Sequence, residues 1–141
     1  MAQVGCIFCR IVAGEVPAQI VWRSGAVLAF LDIGPLAEGH LLVIPRKHAA
    51  RLVELEEGEA AALVGAIPRL GRSLLQVTGA AAFNVLINNG PEAGQVVEHV
   101  HAHLIPRRQG DGLGYRWNAG KYAEGRMQQL GEQYRKVLEA R

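Results

Sequence analysis

Three of the chain's five histidines stand at every second position in His99-Val100-His101-Ala102-His103-Leu104. Side chains alternate faces along a β-strand, so this spacing predicts three imidazoles on one face. Val100, Ala102 and Leu104 then face a core on the other side. The surrounding stretch Val96–Ile105 is rich in β-branched residues and stops at Pro106, which favours a strand. A helix would scatter the three rings around its cylinder. A solitary histidine is most often an ordinary core or surface residue, but clustered imidazoles gain little from one another and repel when protonated. Two chemistries account for such a cluster. His-x-His can supply two ligands of a zinc site. Alternatively, one imidazole acts as nucleophile or acid–base while its neighbours fix its tautomer and hold substrate oxygens.

Both cysteines lie in Cys6-Ile7-Phe8-Cys9. In an intracellular chain, Cys-x-x-Cys reads as half a metal site or as a redox pair. The redox reading wants a strand before the motif, and none precedes it here, so metal is preferred. Thiolates bind zinc well in a closed shell of four ligands, and the histidines are the good candidates for the other two. His48, after the strand ending at Pro45, and His99, at the head of the histidine run, are the partners that leave His101 and His103 free. A buried pair of free thiols is the alternative. A Cys6, Cys9, His48, His99 shell has no open position. Its zinc, one per chain, would be structural and would pin the N-terminal segment to the sheet.

The elements that must position these residues follow from periodicity and turn signals. Ile7, Phe8, Ile11 and Val12 predict a short helix over Cys6–Ala13, ended by Gly14. Gln19–Trp22 and Val27–Leu31 read as strands joined at Ser24-Gly25, Gly39–Pro45 as a third, and Phe83–Ile87 as a fourth. Leu52–Leu75 reads as a long helix that Pro68 must kink or split. Asn88-Asn89-Gly90-Pro91 is a loop, Gly110–Gly114 a connector, and Lys121–Leu138 a C-terminal helix. Strands without obligatory helical crossovers, with one long helix and a short N-terminal one, predict an α+β fold around an antiparallel sheet.

Composition narrows the function classes. The chain has 141 residues, the size of one domain (1–141), with half of its residues hydrophobic and a fifth charged. A net charge of +2 is too mild for a nucleic-acid polymer as partner, and Arg107-Arg108 reads as solvated surface. Met1–Gly5 lacks the basic and apolar run of a signal peptide, and no apolar stretch reaches the length of a membrane span. A cytoplasmic protein is expected.

The residues also resemble a known family. His99–Leu104 fits the His-φ-His-φ-His-φ signature (φ apolar) of the histidine triad superfamily of nucleotide hydrolases and transferases. Cys6–Ala18 (CIFCRIVAGEVPA), Phe30–Pro35 (FLDIGP), Gly39–His48 (GHLLVIPRKH) and Asn88–Pro106 (NNGPEAGQVVEHVHAHLIP) resemble, in order, the Hint-like branch that carries Cys-x-x-Cys. The likeness covers residues 6–107; it is weaker in Gly112–Gly125, and segment 108–141 matches least. It implies the HIT α+β domain, a homodimer, and a purine nucleotide of the AMP type as substrate, cleaved at the α-phosphate without a catalytic metal. His101 matches the family's nucleophile, which forms a covalent nucleotidyl-histidine that water then releases.

His103 and His40 would complete the imidazole cluster, and Gly94, Gln95, Val96 and Val97 would offer backbone N–H groups to the phosphate. Asp32 matches the ribose ligand, although an Asp before Gly34-Pro35 is also an ordinary turn residue. Phe8, Ile11, Phe30 and Ile33 match the apolar pocket for the base, and Asn88 a sugar–phosphate contact. His99 belongs to the catalytic network in members lacking cysteines and looks like a zinc ligand in those with Cys-x-x-Cys.

One departure is specific. Many Hint-like proteins carry Ser or Thr where this chain has Val96, which has no hydroxyl for the phosphate or for a proton to a leaving amine. The leading reading is a hydrolase of nucleoside phosphoramidates, acyl adenylates or similar AMP derivatives. Cleavage of dinucleoside polyphosphates is a second, and a zinc-stabilised nucleotide-binding or interaction module with vestigial catalysis a third. A catalytic zinc on His99, His101 and His103 is a fourth, which leaves Cys6 and Cys9 unexplained.

Overall fold

Apolar side chains on alternate strand positions build one sheet with two differently covered faces. The computed structural model describes residues 2–114 and 118–140. Among these, Ile20–Arg23 (β1), Val27–Leu31 (β2), Leu41–Pro45 (β3), Ala82–Ile87 (β4) and Ala102–Arg107 (β5) form an antiparallel sheet in the order β1-β2-β3-β5-β4. Val27, Ala29, Val43, Ala102 and Leu104 are packed with Leu63, Leu70 and Leu74 of the helices Glu57–Gly65 (α2) and Ile67–Thr78 (α3). Leu28, Phe30, Leu42 and Ile44 pack with Phe8 and Ile11 of the short helix Ile7–Val12 (α1). Each large apolar side chain so buried contributes about 1.5–3 kcal/mol, so both layers are firmly seated. The expected α+β architecture is what the chain forms.

Pro68 splits the expected long helix. Leu52–Glu54 is a single 3₁₀ turn, and α2 and α3 meet at Ala66. Pro68 falls in the first turn of α3, where its missing N–H has no intrahelical partner to lose.

The histidine strand is shorter at its start, and extends further, than periodicity suggested. β5 begins at Ala102 and runs through Pro106 to Arg107, so His103 lies within the sheet while His99 and His101 precede it. Upstream of Ala102 the chain's polar groups are taken by other partners, among them the Val100 N–H donating to the Ala49 carbonyl at 2.8 Å. Such bonds compete with ladder pairing. Pro106 is tolerated because it lies beyond Leu104, the last β5 residue paired with β3.

The C-terminal helix Arg126–Glu139 (α4) starts later than expected and buries none of its residues; Met127, Tyr134, Val137 and Leu138 are exposed. β4 forms a sheet edge with Val85 and Leu86 exposed. Residues 115–117, within the weakly matching Gly112–Gly125 stretch, lie outside the described residues. Among the described residues no helix is long and apolar enough to cross a membrane.

Candidate functional site

On the α1 side of the sheet lies a cavity of about 540 Å³. Its apolar end is walled by Phe8, Ile11, Val16, Pro17, Ala18 and Phe30. The Phe8 and Phe30 rings meet edge-on with centroids 5.5 Å apart. Ile33 also lines the cavity, with its side chain fully exposed. Asp32 follows β2 directly. Its Oδ1 accepts the Gly34 N–H at 2.8 Å, and its Oδ2 lies 3.7 Å from His40 Nε2, too far for a hydrogen bond. Both the turn and the cavity therefore use this carboxylate.

Asn88, Gly94, Val96, Val97, His101, His103 and His40 belong to the same lining, with the His101 ring 5.1 Å from that of Phe8. Gly94 has φ +97°, a conformation open to glycine, and a Cβ there would sit 3.7 Å from the Asn88 amide. Val96 is exposed at the cavity, and its side chain holds only carbon. Gln95, between Gly94 and Val96, does not line the cavity. It accepts the Gly90 N–H at 2.7 Å and donates to the carbonyls of Ala50 at 2.7 Å and Val97 at 2.9 Å. It braces the loop. None of the described residues lining the cavity is Lys or Arg.

Hydrogen bonds fix the imidazole tautomers. His101 Nδ1 lies 2.7 Å from the His99 carbonyl, which can only accept, so the proton sits on Nδ1 and Nε2 keeps its lone pair. The Leu36 N–H points at His40 Nδ1 at 3.1 Å, so that nitrogen is the acceptor and His40 carries its proton on Nε2. His40 Nε2–H then donates to His103 Nδ1 at 2.9 Å, which leaves His103 with an Nε2–H to offer. That chain of bonds ends in an N–H donor on His103, and the separate bond to the His99 carbonyl leaves a lone pair on His101, the two rings 4.8 Å apart.

Burial is the main force on all three rings. It lowers the pKa of His101 and His40, and takes His103 down to about 4, so each is neutral near pH 7. Asp32, His40 and His103 bring three potential metal donors together. The Leu36 N–H makes a metal there unfavourable, because a metal on His40 Nε2 would put a second proton opposite that donor. The roles of the Leu36 N–H and the Gln95 brace left no mark in the sequence, since each depends on a contact across the fold.

The second cluster sits beneath α1. Cys6, Cys9, His48 and His99 each place one donor atom within 4.8 Å of all the others. Cys6 Sγ is 3.3 Å from His99 Nδ1, Cys9 Sγ is 3.3 Å from His48 Nδ1, and the two Nδ1 atoms are 3.2 Å apart. His99 Nε2–H donates to the Pro45 carbonyl at 2.8 Å, so its Nδ1 lone pair faces the cluster. Burial takes the His99 pKa down to about 4 and raises that of the Cys6 thiol. Two thiols, an imidazole lone pair and a second imidazole converge where a cation would displace the thiol protons. The donor set fits a tetrahedral zinc with His99 oriented by a carbonyl outside the shell. The histidine run is therefore divided between two sites, which removes the geometry that a zinc on His99, His101 and His103 together would need.

Comparison with known proteins agrees with this architecture. The HIT domain family model matches residues 13–110. The chain is 38% identical over 131 residues to adenosine 5'-monophosphoramidase hnt1 of Schizosaccharomyces pombe, covering 92% of this chain and 96% of that protein. It is 40% identical over 111 residues to adenylylsulfatase HINT3 of Arabidopsis thaliana, covering 79% of this chain but 56% of the relative. Among solved structures, SMU.412c from Streptococcus mutans UA159 superposes with a TM-score of 0.92 at 39% identity, covering 96% of this chain and 87% of that one. A Zn-bound histidine triad family protein from Mycobacterium smegmatis does so with a TM-score of 0.75 at 34% identity, covering 92% and 97%. With a matching family model, a shared fold and the Cys6-x-x-Cys9 motif in place, the chain belongs to the HIT family, in its Hint-like branch.

Proposed function

We propose that this protein is a nucleotide hydrolase that cleaves AMP-type substrates at the α-phosphorus through a covalent nucleotidyl group on His101. The observation that carries the reading is the pair of tautomers at the cavity, a lone pair on His101 Nε2 and an N–H on His103, each set by its own hydrogen bonds. The base lies against Phe8, Ile11 and Phe30, the ribose hydroxyls bond to Asp32, and Asn88 touches the sugar–phosphate. The His103 Nε2–H and the backbone N–H groups of Val96 and Val97 hold the phosphate oxygens; those of Gly94 and Gln95, expected to join them, are instead donated to the Pro91 and Gly90 carbonyls at 3.0 and 3.1 Å. His101 Nε2 attacks phosphorus, an N–P bond forms, and the bond to the leaving group breaks with its electron pair departing on that group. Water then attacks phosphorus, the N–P bond breaks, and AMP leaves. Each reactive ring is neutral, so the nucleophile is available near pH 7 without a metal.

Val96 governs which leaving groups suit the site. It offers no proton, so groups that leave as stable anions, such as carboxylates of acyl adenylates or sulfate, are favoured over amines. The hnt1 relative is named a monophosphoramidase and HINT3 an adenylylsulfatase, which supports AMP hydrolysis as the shared chemistry. Zinc on Cys6, Cys9, His48 and His99 serves as a cross-link, since four protein ligands close its shell. The Zn-bound neighbour supports that ion. A homodimer through the exposed edge strand β4 and the apolar side of α4 completes the reading.

The test is kcat/KM across AMP esters, amides and mixed anhydrides of graded leaving-group pKa, with a dinucleoside polyphosphate included. Rates that climb as the leaving group becomes more acidic support the reading. Preference for the dinucleotide moves the protein to polyphosphate cleavage, and AMP binding without turnover of any compound makes it a binding module.

A further inference from the structure

His101 stands one residue outside the sheet, because the paired residues of β5 begin at Ala102 toward both β3 and β4. Its orientation is therefore set by whatever holds segment 99–101. Three bonds do so: His99 Nε2–H to the Pro45 carbonyl, the Val100 N–H to the Ala49 carbonyl, and His101 Nδ1–H to the His99 carbonyl. Two of the three pass through His99, whose remaining ring nitrogen points into the four-donor cluster. The third anchors on Ala49, the neighbour of another cluster residue, His48. From the opposite side Phe8, between Cys6 and Cys9 on α1, meets the rings of both His99 and His101 edge-on, with centroids 5.8 and 5.1 Å away.

We propose that the Cys6–Cys9–His48–His99 centre, closed on a metal ion, is a positioning device for the nucleophile, acting through the His99 carbonyl and Phe8 on the His101 ring. The inference rests on the reading of His101 as nucleophile. With the centre closed, His99 is gripped at both ring nitrogens and its carbonyl stays where His101 Nδ1–H can bond to it. With the centre open, one grip is lost and α1 loosens together with Phe8. His101 can then turn and spend Nε2 on other partners, which removes the attacking lone pair. His99 is a positioning residue in this account and does not touch the substrate.

The experiment compares zinc-loaded protein with Cys6→Ser, which keeps three ligands and changes a residue that is only partly buried. Zinc content, ¹⁵N ring signals of His101 (assigned by their loss in His101→Ala), KM and the burst rate at saturating substrate are measured. The zinc-loaded protein should show one His101 tautomer, protonated at Nδ1. The zinc-free variant should show averaged ring signals and a saturated burst at least tenfold slower, both restored in Cys6→His by added zinc. A centre that serves stability alone would lower Tm and leave the tautomer and the saturated burst unchanged; that result overturns the proposal. Should Cys6→Ser retain zinc or fail to fold, wild type with cadmium in place of zinc has the same ligands with longer bonds. His101 signals and burst rate must then shift, and identical values overturn the proposal. A tautomer that responds to zinc in a protein that never forms a nucleotidyl-histidine would sink the nucleophile reading and leave the coupling standing.

Discussion

Asparagine in place of Asp32 separates the residue's two jobs. In the native protein Oδ1 accepts the Gly34 N–H at 2.8 Å and Oδ2 faces the cavity, 3.7 Å from His40 Nε2. A carboxylate has about four acceptor positions, so the turn bond leaves room for ribose hydroxyls. Asp32→Asn keeps an oxygen for Gly34 and puts an NH₂, which cannot accept, where Oδ2 was. The turn should hold, and Tm should change little. What is lost is a charge-assisted hydrogen bond to a sugar hydroxyl, about 1.5–3 kcal/mol. That range corresponds to AMP binding roughly 10- to 150-fold weaker, at 1.4 kcal/mol per factor of ten. The partner hydroxyl is the control. Binding of 2',3'-dideoxy-AMP, which cannot make the bond, should change little, and isothermal titration of both nucleotides against both proteins gives the four affinities. Equal losses for the two sugars would show that Asp32 is a turn residue alone, and the ribose assignment would fall.

The remaining predictions bear on the other parts of the site. Val96→Ser should accelerate hydrolysis of AMP amides by roughly 100- to 10,000-fold if its hydroxyl is well placed to protonate the amine, and barely alter esters of acidic alcohols; a constant ratio across leaving-group pKa refutes the relay. Purified protein should carry about one zinc per chain, and His48→Ala should lower zinc content and Tm together; full zinc retention in that variant refutes the shell. His103 is kept neutral by burial, its pKa moved from 6.5 to about 4. Between those values the unfolded chain binds the extra proton, so this contribution to stability is complete above pH 6.5 and drains away as pH falls through about 4. Its slope in that window is at most about 1.4 kcal/mol per pH unit. Urea unfolding of wild type and His103→Asn from pH 7 to 4 should show the steeper loss in wild type, and equal slopes would contradict it.

Residue types and spacing carried the metal cluster a long way. Cys6 and Cys9 one helical turn apart, with His48 at the end of β3 and His99 before β5, are the four residues whose donor atoms converge. The sheet and its flanking helices were legible too, since Val27–Leu31 alternates between two cores and Pro68 marks a helix start. The start of β5 was not. Val96–His101 has strand-forming residues, yet its polar groups bond to Pro45 and Ala49, which only the folded chain brings near. The His40–His103 bond depends likewise on the pairing of β3 with β5 and on the Leu36 N–H, neither of which is written locally.

The most direct measurement of the central claim is rapid-quench trapping of the enzyme–nucleotide adduct. Protein mixed with an AMP mixed anhydride should be stopped within milliseconds in alkaline denaturant, where a phosphorus–nitrogen bond to histidine survives, and digested for mass spectrometry. One nucleotidyl group should appear on the peptide carrying His101 and form at least as fast as kcat. It should be absent in His101→Ala, which should still bind AMP yet lose several orders of magnitude in turnover. A label on another residue, or near-normal turnover in His101→Ala, would contradict the account.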